Sequence, residues 1–573
     1  MNASLGLESG PHFARRAAAA LTLALGLGLA ACGGGGGGSS NPPAPTDLVV
    51  NGTAATGAAL AGAAVELECA SGNGAATTAA DGSFSATIAG GVLPCVARVT
   101  SGNVTLHGLA YGSGASVRAN ITPATELVLA RLLLGSPAGF FAAFDAARIT
   151  TAAADAAQAA VKSYLTDAGV DFAAIGDLVS GPLVASTAGS AGDAHDQALE
   201  ALAAALGSSG NTLAGLTTAM IEAGTGTVAT LPASAVLRPA APTCAAFRSG
   251  DFRILAPAGG SSLANQVSQL SFDAATLTGD RSDAGATSFA ANGNCRFTET
   301  GAGFSADVVV SRAGILFGRR TLNGVARHFI GLPIQAHSLA ELAGTWNVLG
   351  MNPAGAAFVA AAGTTTLNDQ GRFTGGTNCQ DNTTWALDVC VTVPDNLIAA
   401  IPTWTSGPDE GFATYENGAP ANRLFAYRAG SGDLMLVAIN FEGGFGFYAI
   451  DKSVPLPAVG TRASNWNLDS NSQWLPLGAS LSETTNTVTA NDTAAGSWTR
   501  LQRSIGSAAE YSTTLFANKP RRGYVFRAAA TVTASNGATL QLNEFTFQRM
   551  HGMGFSPVVL PGPKTFELSI GQP

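Results

Sequence analysis

The chain has 573 residues, only 12% of them charged, with 71 glycines and 29 basic against 38 acidic side chains for a formal net charge of −9. That length excludes a single compact core and predicts three to five domains of ordinary size. So acidic a balance, with no Lys/Arg-rich patch, excludes nucleic acid as a partner, and it leaves a surface built largely from Ser, Thr, Asn, Gly and Ala.

Arg15 and Arg16 precede an apolar run from Ala17 to Ala31. The run is short for a membrane span but suits the apolar core of a secretory signal that ends in small residues. It closes on Leu29-Ala30-Ala31-Cys32, which resembles the lipobox of the bacterial lipoproteins. The resemblance implies cleavage before Cys32, a diacylglyceryl thioether on its sulfur, and a fatty acyl chain such as palmitate on the new amino terminus. Gly33, where inner-membrane members of the family carry Asp, implies delivery to the outer membrane. An ordinary signal peptide cut near Ala31, leaving a free thiol, is the alternative. Ala17-Ala18 do not continue a twin-arginine signal after Arg15-Arg16. Residues 1–31 are thus the expected signal. Residues 32–46, six glycines grading into Asn41-Pro42-Pro43-Ala44-Pro45, are the expected tether, flexible first and stiffer later. No later run of 18 apolar residues occurs, so the lipid is the expected membrane contact, on the periplasmic or the outer side.

Residues 47–119 read as strands and turns. Val50-Asn51-Gly52, Leu60-Ala61-Gly62-Ala63-Ala64-Val65 and Asp81-Gly82-Ser83-Phe84 mark strand ends and a hairpin, and Ala63 to Cys69 alternates with the period of a half-buried strand. These residues resemble the carboxypeptidase regulatory-like module, which implies a small transthyretin-like β-sandwich without a catalytic motif. Apart from Cys32 there are six cysteines, in sequence-local pairs: Cys69 with Cys95, Cys244 with Cys295, and Cys379 with Cys390. Fifteen connectivities are open to six cysteines, and proximity within each segment favours this one, in an oxidising compartment. A bridge between Cys69 and Cys95 would contribute about 3 kcal/mol in the chain-entropy model. Neither C-x-x-C nor Cys/His clustering is present to suggest a metal.

The period switches to helix over residues 120–228, an Ala-rich segment. Thr122 caps a helix opened by Pro123 and stopped by Gly135 and Pro137. Further helices are predicted over Pro137 to Ala147, Thr150 to Ala168, Asp193 to Leu206 and Thr212 to Ala223, with Leu199, Leu202 and Leu206 on one stripe. His195 beside Asp196 could serve acid/base work, but with no nucleophile near in sequence it reads as a helix-start or domain-contact pair.

From Pro242 onward the pattern is strand and turn. Asn292-Gly293, Asn323-Gly324, Asn417-Gly418 and Asn536-Gly537 predict type I′ hairpins. A loose repeat opens three units: Gly250-Asp251-Phe252, Gly344-Thr345-Trp346 and Ser464-Asn465-Trp466. The expected units are 243–340, 341–460 and 461–573, each an antiparallel barrel or sandwich. Gly344-Thr345-Trp346 also resembles the Gly-x-Trp that opens the first strand of lipocalins, which implies a tryptophan sealing a ligand-holding barrel. The plainer reading is a tryptophan that anchors a β core.

The fold class is therefore multidomain and mainly β: a small sandwich, an Ala-rich helical segment, then antiparallel barrel or sandwich units. Catalytic signatures are lacking, with no G-x-S-x-G elbow, phosphate loop, H-E-x-x-H or EF-hand loop. Gly33 to Gly38 matches G-x-G-x-x-G but follows no strand. His107, His195, His328, His337 and His551 are scattered and read as surface or locally hydrogen-bonded residues. Asp409-Glu410 and Asp381 could supply paired carboxylates but read as solvated loop acids. Arg319-Arg320 and Lys519-Pro520-Arg521-Arg522 read as solvated basic spots at hairpin ends. All six tryptophans, Trp346, Trp385, Trp404, Trp466, Trp474 and Trp498, fall in the last two units, marking either a glycan- or lipid-facing surface or larger cores. The expectation is a lipid-anchored envelope protein acting as a non-enzymatic binding or scaffolding module without a cofactor. Its candidate partners are an envelope protein, a glycan or a small apolar ligand. A lipocalin-like carrier and an envelope hydrolase are the alternatives.

Overall fold

A computed structural model describes residues 47–573 apart from 226–230, 258–265, 355–356, 380–389, 417, 473–474, 479–480 and 505–508. Cys32, the signal and the tether lie outside the described residues, as do Asp381, Trp385, Asn417 and Trp474. The fold is mainly β, as composition and periodicity predict.

Two sheets form the first layer pair. Strand Leu48–Thr53 lies between Ser83–Ile88 and Ser116–Arg118, and Ala64–Ser71 pairs with Asn73–Thr77 and Val92–Ser101, the latter also pairing with Val104–Ala110. Alternate residues such as Val50, Val65, Leu67, Phe84 and Val99 are buried in the core between them. Cys69 and Cys95 face each other in register and are disulfide-bonded.

Helix Pro123–Leu133 starts at Thr122, whose side chain accepts from the Thr125 N–H. It ends one residue earlier than Gly135 suggests, because Leu134 itself takes the left-handed conformation at φ 48°. The single helix expected over Pro137 to Ala147 is instead Pro137–Ala142 followed by a short 3₁₀ turn, Ala146–Arg148, restarted by an Asp145 cap. Helices Thr151–Asp167, Ala194–Ser209 and Leu213–Thr225 complete the segment. Leu199 and Leu202 are fully buried in its core. Among the described residues no helix is long and apolar enough to cross a membrane.

Three β units follow. Eight antiparallel strands from Gly250–Leu255 to Val325–Pro333 close into a barrel when the first pairs with the last. Nine strands then form an open sheet, centred on the pairing of Gly344–Ala354 with Phe445–Ile450. A second closed barrel of eight strands runs from Arg462–Ser470 to Thr565–Gly571. A two-stranded hairpin, Ala530–Thr533 with Thr539–Leu542, is inserted between its strands Tyr524–Arg527 and Phe545–Gln548. Cys244–Cys295 and Cys379–Cys390 are the other two disulfides. The units meet on aromatic rings: Phe555 of the second barrel lies 4.7 Å from Phe317 of the first and 5.4 Å from Phe447 of the open sheet.

Asn323-Gly324 makes its hairpin with both residues at positive φ, 50° and 80°, as a type I′ turn requires. Asn292 and Asn536 do not enter that region, so the turns there are of another kind. Trp346 belongs to the open sheet, where it is 1% exposed and its Nε1 donates to the Leu342 carbonyl at 2.9 Å. It anchors a core with Leu367, Trp404 and Phe412. Trp404, Trp466 and Trp498 are buried too, so among the described tryptophans the reading as larger cores holds.

Candidate functional site

The residues singled out from the sequence do not converge. His195 and Asp196 are both buried at the start of helix Ala194–Ser209. His195 Nδ1 lies 3.3 Å from the Pro182 carbonyl, and Asp196 Oδ2 accepts from the Ser186 N–H at 2.9 Å. They hold the helix against the preceding loop. His107 lies 2.9 Å from Glu126, and His328 is 2.9 Å from Ser470 across the contact between the barrels. Asp409 accepts from Arg423 at 3.1 Å in an exposed turn. Two basic spots are not solvated hairpin ends. Arg320 points into the first barrel and pairs with Asp283, while Arg521 reaches Thr377 and Cys379 of the open sheet.

What the structure does assemble is a pair of contrasting barrel interiors. In the first, phenylalanines fill the middle of the interior. Phe252, Phe272, Phe289 and Phe297 surround Phe247, which enters from the preceding strand Cys244–Arg248 and stacks on Phe272 at 3.7 Å. The remaining space holds a closed ionic cluster. Arg281 reaches Asp283 at 3.0 Å and Glu299 at 3.3 Å, Thr287 donates to Glu299 at 2.9 Å, and Arg281 lies over the Phe304 ring at 4.5 Å. Burial pushes the Glu299 carboxyl up, against the pull of Arg281.

The second barrel is arranged differently. In strand Arg462–Ser470, Trp466 and Leu468 face outward into the core shared with the other units. The register therefore turns Asn465, Asn467 and Asp469 inward. Strand Thr565–Gly571 does the same: Phe566, Leu568 and Ile570 pack outward, and Glu567 and Ser569 face the lumen. Around the wall the inward positions continue as Thr484 and Asn486, Arg500 and Gln502, Tyr511 and Thr513, then Arg527. Several of these, including Asp469, Glu567, Arg500, Gln502 and Tyr511, keep partial exposure inside a closed barrel. The other end of the lumen is apolar, with Val488, Trp498, Leu515, Val525, Phe545 and Val558 packed together, and Val454 from the incoming segment seals it.

Electrostatics in this lumen are strained in a useful direction. Asp469 and Glu567 are direct cross-strand neighbours whose carboxyls hydrogen-bond to each other. Burial first, and then the adjacent Asp469 charge, push Glu567 up to about 8, against Arg500 and Arg527. The pair shares a proton at neutral pH, because two like charges this close cannot both ionise cheaply. Burial, together with neighbouring Arg527, brings Arg500 down to about 10. Both guanidiniums lie over Phe545, at 4.1 Å for Arg527 and 5.9 Å for Arg500. Arg500 Nη2 donates to Gln502 Oε1 at 3.0 Å. The Asn467 amide, in the orientation that satisfies both its ends, donates to Ser569 at 2.9 Å and to Glu567 at 3.2 Å.

Four buried polar atoms in this lumen have no partner among the described residues: Asn486 Oδ1, Thr513 Oγ1, Arg500 Nε and Arg527 Nε. Native interiors satisfy nearly all such atoms, so a cluster of orphans calls for water or a ligand. The mouth is bordered by the inserted hairpin, tied down where Ser535 N donates to the Glu510 carbonyl at 2.8 Å and Glu510 N donates to Ser535 Oγ at 2.9 Å. Among the lumen residues only Trp498 stood out in the sequence, and none of the polar ones did. Their signal was the alternation of Asn465, Asn467 and Asp469 with Trp466 and Leu468, whose polar side reads as a solvated surface until closure shows it to be the inside.

No protein-family model and no curated protein matches the sequence. Among solved structures, the chain is similar at 8% identity to a protein of unknown function of the DUF3598 family from Nostoc punctiforme, over 42% of this chain and 99% of that one, with a TM-score of 0.15. It is similar at 8% identity to transferrin binding protein B from Neisseria meningitidis, over 55% and 68% of the two chains, with a TM-score of 0.13. A mutant of transferrin binding protein B from Haemophilus parasuis matches at 8% identity over 56% and 75%, also at 0.13. TM-scores this low assign the chain to none of these.

Proposed function

We propose that this is a lipid-anchored cell-envelope binding protein, tethered through Cys32 to the outer membrane, whose C-terminal barrel takes a small hydroxyl-rich ligand such as a sugar unit into its lumen. The observation that carries the reading is the polar half of the barrel interior, where Asn486 Oδ1 and Thr513 Oγ1 are left unpartnered beside Arg500. Hydroxyl groups both donate and accept, so one polyol satisfies an amide oxygen, a threonine hydroxyl and a guanidinium together. The apolar floor at Trp498 and Phe545 suits the C–H face of a sugar ring.

Charged groups in the lumen oppose the apolar-carrier alternative, because an apolar ligand would desolvate Asp469, Glu567 and Arg500 without replacing their hydrogen bonds. The hydrolase alternative meets a geometric objection. Glycoside hydrolysis needs two carboxyls about 5 Å or more apart across the scissile bond, whereas Asp469 and Glu567 touch each other. In this reading the sandwich at residues 47–119, of the carboxypeptidase regulatory-like kind, and the helical segment carry the barrels away from the membrane.

Binding is tested by titrating the protein with D-glucose and with N-acetyl-D-glucosamine while following tryptophan fluorescence, to which Trp498 at the lumen floor contributes. Saturable change that is weakened by Thr513→Val supports the reading. An unchanged signal with both sugars, combined with saturable uptake of the apolar dye 1-anilinonaphthalene-8-sulfonate, would replace it with the carrier alternative. The anchor is tested separately by palmitate labelling with and without globomycin. A Cys32→Ala protein that still partitions with membranes would refute lipid attachment.

A further inference from the structure

A second accessible concavity, of about 650 Å³, opens between the helical segment and the β region, far along the chain from the lumen residues. Its size falls in the range of small-molecule sites. The two walls differ in how well their polar groups are satisfied.

The β-side wall is complete. Arg428 donates to Glu341 at 2.8 Å, and Glu341 also accepts from the Ser338 N–H at 2.7 Å. Although burial pushes it up, the Ser338 N–H and Arg428 together hold Glu341 at about 2. His337 bridges Gln335 at 3.0 Å and Glu341 at 3.3 Å, and Gln335 in turn accepts from the Arg428 N–H at 2.7 Å. The charged groups of this wall are thus already paired with one another.

The helical wall is not. Tyr164, on helix Thr151–Asp167, is 8% exposed and lines the cleft, yet its buried hydroxyl has no partner. Arg131, in the last turn of helix Pro123–Leu133, also lines the cleft, and its buried Nη1 is likewise unpartnered. Arg238 contributes a third group, exposed at the rim. Among the described residues neither Arg131 nor Arg238 makes an ion pair with a carboxylate; Asp167 lines the cleft as well but engages neither. Burial drives the Tyr164 phenol above the ordinary tyrosine range, so it stays protonated. Guanidinium groups only donate. The unmet capacity of this wall is thus largely donor capacity, with Arg131, Arg238 and Arg248 set against the carboxylates of Asp167 and Glu222.

We propose that this cleft binds a small oxyanion, the phosphate or carboxylate group of a soluble ligand, held by Arg131 and the Tyr164 hydroxyl with Arg238 closing over it. The site uses none of the lumen residues and stands whether or not the lumen binds a sugar. Hydrogen bonds to a charged group account for a loss of about tenfold or more per donor removed.

Isothermal titration of the full-length protein in detergent, with inorganic phosphate in one arm and succinate in the other, tests it. Saturable one-to-one binding is expected in at least one arm, and the arm that responds identifies the anion class. Tyr164→Phe and Arg131→Gln should each weaken that binding about tenfold or more. Tyr164→Phe removes only an unpartnered hydroxyl, so its thermal transition should stay at the native value and report that the fold is intact. Thr513→Val, in the barrel lumen, should bind the anion as the native protein does. The proposal is overturned if neither anion binds, or if both cleft variants bind it with native affinity.

Discussion

The two closed barrels have the same strand number and the same simple up-and-down order, yet one interior is packed around phenylalanines and the other is polar over half its length. Their opening strands show why. Phe252 in Gly250–Leu255 lies inside its barrel against Phe247, whereas Trp466 in Arg462–Ser470 lies outside, in the core shared by the three units. Because side chains alternate along a strand, this choice at one aromatic residue assigns every other position of the barrel to the opposite face. The first barrel thereby collects phenylalanines in its interior. The second spends Trp466, Leu468, Phe566 and Leu568 on contacts with its neighbours, and its interior is divided between Asn, Asp, Glu and Arg at one end and Val488, Trp498, Leu515 and Phe545 at the other.

Phe247→Ala should have the largest effect, about 3–5 kcal/mol of stability, since the plug touches four other rings and no rearrangement of a closed barrel can refill the space. Denaturant unfolding monitored by circular dichroism would measure it, and a loss below about 1 kcal/mol would mean that the first barrel is not solid. Next come matched arginines. Arg281→Ala strands Glu299 in the interior and should cost about 3 kcal/mol or more, while Arg500→Ala, which breaks no ion pair among the described residues, should cost about 1 kcal/mol. Equal costs would erase the distinction drawn here.

A smaller, pH-dependent effect sharpens the contrast. Glu567 has its carboxyl raised from 4.5 to about 8 in the folded protein, so the stability it contributes is present below pH 4.5 and lost as pH rises through about 8. Glu567→Gln should therefore match the native protein at pH 5 and exceed it at about pH 9, by about 1–2 kcal/mol after allowance for the partly solvated site. Thermal unfolding at the two pH values would show it, and a Gln variant less stable at the higher value would contradict the shared-proton pair. The smallest change is expected for Thr513→Val, within about 0.5 kcal/mol in stability, because it replaces an unpartnered hydroxyl with a methyl of similar shape. Its effect should appear instead as weaker sugar binding.

Local features were legible in the sequence wherever the physics is local. Thr122 and Asp193 cap the helices that follow them, Asn323-Gly324 turns its hairpin, and the six described cysteines bond as near neighbours. The strand periods gave the mainly β fold class. Alternation, however, defines two faces without saying which is inside. That is settled by closure, through pairing of Gly250–Leu255 with Val325–Pro333 and of Arg462–Ser470 with Thr565–Gly571, contacts between residues far apart in the chain. Arg320 looked like a solvated basic spot for this reason, and the acids Asp469 and Glu567 drew no attention. The helix break after Ala142 had a local cause, the Asp145 cap, hidden among alanines that would have continued the helix equally well.

One consequence follows from Val454. With Val488, Leu515 and Val525 it stops the second barrel at its apolar end, and Asn518 clasps it there, donating to its carbonyl at 3.1 Å and accepting from its N–H at 2.8 Å. An interior stoppered in this way is closed at its apolar end, so a ligand would have to come and go at the polar end, beside the inserted hairpin.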